Sequence, residues 1–176
     1  MKNLKITALV LAILMLFTVC ALGSGSDDSD TKAKVESGDG KTTTTAEQKD
    51  EGPIKVKVGE TLTVDGLKIT YVSVEDFTDY DEWDDLKDGY KFIVLTFDCV
   101  NESNSDKYVD SYDFKCFADD ASVESHYEDD ILDATLSSGR KTTGKVYFEV
   151  PIDAESIEVE YETDFWSEEK AIFVVK

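Results

Sequence analysis

Histidine is almost missing from this chain of 176 residues: His126 is the only one. That excludes a histidine cluster for zinc and leaves no second imidazole as an acid/base partner. A glycine-rich phosphate loop and a nucleophile elbow are absent as well. Acidic pairs abound, but among 39 carboxylates accidental pairs are inevitable, so no glycosidase geometry follows from them. The chain is therefore expected not to be an enzyme, with His126 as an exposed loop residue.

Positive charge is also scarce. Lysine and arginine number 18 against 39 aspartates and glutamates, a formal net charge of −21. Leaving out Lys2 and Lys5 of the leader described next, 16 basic groups face 39 acidic ones, or −23. Such a surface repels phosphate backbones and anionic headgroups, so nucleic acid is excluded as a partner. It suits cationic peptides, basic protein patches or a divalent cation, and it keeps an exported protein soluble and monomeric.

Long apolar runs are lacking but for one, residues 6–21. With Lys2 and Lys5 before it and small residues after it, residues 1–23 have the form of a secretory signal peptide. The run is shorter than the roughly 20 residues of a comfortable membrane span. Phe17-Thr18-Val19-Cys20 resembles the bacterial lipoprotein box, which would put a lipid anchor on Cys20 and the protein on the outer face of the membrane. The alternative is cleavage after Gly23, giving a secreted protein. Residues 24–52 are polar, with only Ala33, Val35 and Ala46 apolar. They cannot bury enough surface to offset chain entropy and are expected to be a disordered linker with a span of about 30 Å.

Residues 53–176 are expected to be one all-β domain. Ile54, Val56 and Val58 alternate with lysines, and Asp65-Gly66 is a hairpin signal between residues 61–64 and 67–72. Residues 90–101, YKFIVLTFDCVN, form the central strand, with Ile93, Leu95, Phe97 and Cys99 on its apolar face. A strand over 108–118 directs Tyr112, Phe114, Cys116 and Ala118 to one side. Residues 121–136 read as a short helix or a covering loop. Val146, Phe148 and Val150 point inward, and Lys145, Tyr147 and Glu149 outward, before Pro151 ends the strand. Residues 157–162 and 171–175 close the set. Seven to eight strands without a long helix imply a β-sandwich.

Particular residues carry a resemblance. They are Gly59-Glu60-Thr61, Gly89-Tyr90-Lys91-Phe92, Asp113-Phe114-Lys115, and Leu136-Ser137-Ser138-Gly139 ahead of Gly144-Lys145-Val146-Tyr147-Phe148-Glu149-Val150-Pro151. Together they resemble the immunoglobulin-like domain of unknown function common in lipoproteins of Gram-positive bacteria. That family is similar to the mycobacterial immunoprotective extracellular antigen. The chain departs from the pattern at Ser138, Ala121, Cys99 and Cys116. The resemblance implies an immunoglobulin-like β-sandwich at the cell surface, and no catalytic residue comes with it.

Three sets of side chains are candidates for function or bracing. Residues 75–88 are rich in carboxylates, and Asp79, Asp81, Asp84 and Asp85 would be the oxygen ligands of a calcium loop. No other cofactor is expected, and a solvated acidic loop is the alternative. Tyr80, Trp83 and Trp166 fall in inter-strand segments, where large amphipathic rings serve recognition; the alternative is that they cover an end of the sandwich. Cys99 and Cys116 are expected to form a disulfide worth about 3 kcal/mol, with two buried free thiols as the alternative. The expected function is an anchored, non-catalytic module binding a protein, peptide or envelope component. A metal- or small-ligand-binding module and a structural accessory of the envelope are the alternatives.

Overall fold

Alternation of apolar and polar side chains resolves into two sheets that share one core. The computed structural model describes residues 34–37, 52–81, 83–162 and 170–176. One sheet has six strands, in the order β1 (Lys34–Ser37), β3 (Glu60–Val64), β4 (Leu67–Phe77), β5 (Tyr90–Asn101), β11 (Lys141–Pro151) and β9 (Glu124–His126). The other has five: β2 (Ile54–Val56), β13 (Lys170–Val174), β12 (Ile157–Glu162), β7 (Phe114–Ala118) and β8 (Ala121–Ser122). A separate ladder joins β6 (Lys107–Asp110) to β10 (Asp133–Leu136). Only β2 and β13 pair in parallel among the named strands. This is the expected β-sandwich.

The centre is β5, which pairs along most of its length with β4 and β11. Its inward rings meet those of the facing sheet: Phe97 lies 4.8 Å from Phe114 and 4.9 Å from Phe173, and Tyr71 stacks on Phe97 at 5.5 Å. Each such side chain, once buried, contributes about 1.5–3 kcal/mol relative to exposure. The Asp65-Gly66 turn has φ of 46° and 76°. Two successive positive values define the primed turn that matches strand twist, and Val64 pairs with Leu67 across it.

Several expectations need correction. Within residues 24–52, expected to be disordered throughout, Lys34–Ser37 is a strand paired with β3. Val35, one of the three apolar residues of that stretch, packs against the core, and the edge of β3 supplies the backbone partners. The strand over 108–118 is interrupted by a 3₁₀ turn at Ser111–Asp113. The Asp110 carboxylate accepts the Tyr112 N–H, and the Asp113 carboxylate accepts the Asp110 N–H, a reciprocal cap that stops the ladder. Tyr112 is therefore 70% exposed, not inward. Residues 121–136 form neither helix nor covering loop alone but three short strands, β8, β9 and β10.

Cys99 and Cys116 are free thiols, both buried in the core. They stand on β5 and β7, strands of opposite sheets and not the neighbours the expected disulfide would have pinned. Burial pushes each thiol up to about 12. Cys20 and Trp166 lie outside the described residues.

Candidate functional site

The outer face of the six-stranded sheet is not uniformly polar, and the reason begins with a bulge. Pairing of β4 with β5 shifts register between Tyr71 and Ser73, leaving Val72 unpaired. Before it, Leu67, Ile69 and Tyr71 point into the core; after it, Val74 follows that direction and Phe77 turns to the outer face. There Phe77 pairs with Phe92 of β5, and Phe92 is level with Glu149 of β11. Tyr147 on β11 pairs with His126 on β9. The strand pairing thus gathers Phe77, Phe92, Tyr147 and His126 outside the main core.

These rings form a second apolar cluster. His126 stacks on Phe92 with centroids 4.1 Å apart, Phe77 meets Tyr147 edge-on at 5.0 Å, and Tyr80 meets Phe92 edge-on at 5.2 Å. Phe92 and Tyr147 are buried although they face away from the sandwich interior. Described residues of the connection after β4 fold back over the sheet here: Tyr80 lies on Phe92, Asp84 faces His126 and Lys87 meets Glu149. Glu149, expected outward, is 7% exposed and latches this connection. It accepts the Lys87 backbone N–H at 2.8 Å and the Lys87 ammonium at 2.9 Å. The ammonium also reaches Glu124 of β9 at 2.8 Å. Hydrogen bonds donated to Glu124 and then Glu149 hold the Lys87 ammonium above the ordinary lysine value, and Lys87 holds Glu124 below the usual carboxylate range.

The connection's own turn orients a carboxylate toward the histidine. Asp84 Oδ2 accepts the Asp81 N–H at 2.6 Å, and Asp81 Oδ1 accepts the Trp83 N–H at 2.7 Å. Asp84 Oδ1 is left facing His126 Nε2 at 3.8 Å. Glu128 Oε1 lies 3.0 Å from the same nitrogen. His126 is thus not an exposed loop residue: its side chain is 10% exposed, held between Phe92 and two carboxylates. Nearby, Tyr147 donates to Asp130 at 2.5 Å and Lys145 pairs with it at 2.6 Å. Lys145 and then the Tyr147 hydroxyl hold Asp130 low, while burial and then Asp130 push the tyrosine up.

Of the four aspartates expected to bind calcium, Asp84 alone belongs to a converging group, that with His126 and Glu128, whose ligand atoms lie within 4.8 Å of one another. Asp79 and Asp85 are exposed, and Asp81 is taken up by its own turn. Of the recognition aromatics, Tyr80 half-covers Phe92, whereas Trp83 is 83% exposed at the crest of the latched connection. Sequence reasoning missed Tyr112 and Tyr127, both exposed and 5.8 Å apart. They flank a recess of about 10 Å³ lined by Ser111, Ser125, Val146 and Phe148, room for one water molecule and not for an organic ligand.

Residues 56–172 match the model of a domain of unknown function, DUF4352. The chain belongs to that family. Among solved structures, MPT63, a secreted protein of Mycobacterium tuberculosis, is similar at a TM-score of 0.55 and 17% identity, covering 70% of this chain and 98% of that one. The yjhA protein of Bacillus subtilis is similar at 0.52 and 19%, covering 68% and 98%. Bacillus subtilis ycdA, provisionally described as a lipoprotein, is similar at 0.52 and 16%, covering 64% of this chain and 37% of that one. The chain thus spans little more than a third of ycdA. At these identities the likeness is one of fold. No curated protein matches the chain.

Proposed function

We propose that this DUF4352 chain is an exported, non-catalytic binding module, held on the outer face of the membrane by a lipid on Cys20, that recognises a cationic segment of a protein or peptide through the aromatic rim around β9. One observation carries the recognition: Trp83 is 83% exposed on a connection that Glu149 clamps to the sheet. An indole this exposed is costly to leave in water, and rings of this kind are the usual anchors of interfaces. Because its support is latched, little ordering entropy is lost on binding. A net charge of −21 favours a basic partner over an acidic one. The export reading draws support from the leader and from relatives described as secreted or as a lipoprotein.

The test is capture from envelope extracts on immobilised protein, comparing wild type with Trp83→Ala and with Val58→Ala as a surface control. Trp83→Ala is expected to lose at least ten-fold of the bound partner and Val58→Ala to lose none. Equal capture by all three refutes recognition through this rim. Mass spectrometry of the mature N-terminus tests the anchor: a diacylglyceryl-modified Cys20 is expected, and a free Ser24 amine refutes it.

A further inference from the structure

We propose that Asp84, His126 and Glu128 form a zinc site that fastens the Trp83-bearing connection to β9. The three residues come from both sides of that junction: Asp84 from the connection, His126 from the end of β9, and Glu128 from two residues beyond. In tetrahedral zinc coordination, with bonds of about 2.0–2.2 Å, neighbouring ligand atoms stand about 3.4 Å apart. The His126 nitrogen lies 3.0 Å from one carboxylate oxygen and 3.8 Å from the other, on either side of that value, and all three atoms fall within 4.8 Å. Shifts of a few tenths of an ångström bring both distances to the histidine nitrogen to that value.

The ligands are also held in advance. Stacking on Phe92 fixes the imidazole plane, and the Asp81 N–H occupies the second Asp84 oxygen so that the first is directed at the histidine. These are outer contacts of the sort that orient metal ligands. The donor set selects among cations. Calcium takes six to eight oxygens, whereas one imidazole with two carboxylates suits zinc. A fourth position stays open for water or a partner's side chain. Bound zinc would neutralise both carboxylates and tie Trp83 to the sheet at a second point beside the Lys87 latch. Zinc binding at this junction and recognition through Trp83 are independent, and either can fail alone.

The full chain in a Cys20→Ser background, which removes a competing thiol, is titrated with zinc chloride by calorimetry and by competition with a chromophoric chelator. One equivalent is expected, with a zinc-dependent rise in melting temperature and slower amide exchange in residues 79–88. Asp84→Asn and Glu128→Gln keep the shape of each side chain and should each weaken binding at least ten-fold. His126→Phe keeps a ring on Phe92 and should abolish it. Asp79→Asn with Asp85→Asn should leave affinity unchanged, which separates a site from attraction to the general negative charge. Absence of one-equivalent binding overturns the proposal, as does zinc affinity unaltered in the three ligand variants or calcium bound as tightly as zinc.

Discussion

At the scale of the residue, Tyr71 and Asn101 show opposite ways of burying a polar group. The Tyr71 hydroxyl is fully inside the core and has no hydrogen-bond partner among the described residues; burial, then the nearby Cys116, push its ionisation upward. Asn101 is equally buried but satisfied. Its amide donates to the Ser105 and Leu136 carbonyls, both at 2.7 Å, and its carbonyl accepts the Ser103 N–H at 2.9 Å and the Ser103 hydroxyl at 2.7 Å. Tyr71→Phe should therefore raise stability by about 1 kcal/mol, and Asn101→Ala should lower it by about 2 kcal/mol, in urea denaturation. Gly144 gives the family motif a physical reason. A Cβ there would sit 2.6 Å from Leu132 Cδ1 and 2.8 Å from its Cα, so the glycine is the seat on which the segment before β10 crosses β11.

At the scale of the element, strands with clean alternation were legible: β5, β11 and β12 occupy the stretches their patterns mark, because one buried face dictates period two. Elements set by a local exception were not. The bulge at Val72 breaks the period, so Phe77 reads as part of an acidic loop when it is the end of β4. The Asp110 and Asp113 caps cut one apparent strand into two. The cluster around His126 escaped for a related reason. Its members stand on faces read as solvent-exposed, and the available hint was two large rings, Phe92 and Tyr147, on those faces. The covering connection depends on a single buried acid. Glu149→Gln keeps the Lys87 N–H contact but discards one of the two charge partners of its ammonium, Glu124 remaining, and should speed amide exchange in residues 79–88 at least ten-fold while β5 exchange changes little.

At the scale of the whole molecule, the buried thiols set a response to alkali. Cys99 and Cys116 rise from an ordinary 9.0 to about 12. Between those values the unfolded chain releases protons that the folded chain retains, so the unfolded state binds fewer and the stability falls as pH rises. Below pH 9 the two thiols contribute no slope. The urea midpoint is expected to drop steadily from pH 9 to 12, and Cys99→Ala with Cys116→Ala should flatten that decline. The outermost strands matter at this scale too. β1 has four residues, β9 and β2 three each, and β8 two; ladders this brief recruit foreign strands poorly. β1 has a practical consequence for anyone cutting the chain. A fragment that begins at Pro53 bares the backbone of Glu60–Val64, and in sedimentation it should assemble edge to edge as concentration rises, where one that begins at Thr31 stays a monomer. Four residues of an otherwise polar stretch then decide whether the domain is handled as single molecules or as edge-paired dimers.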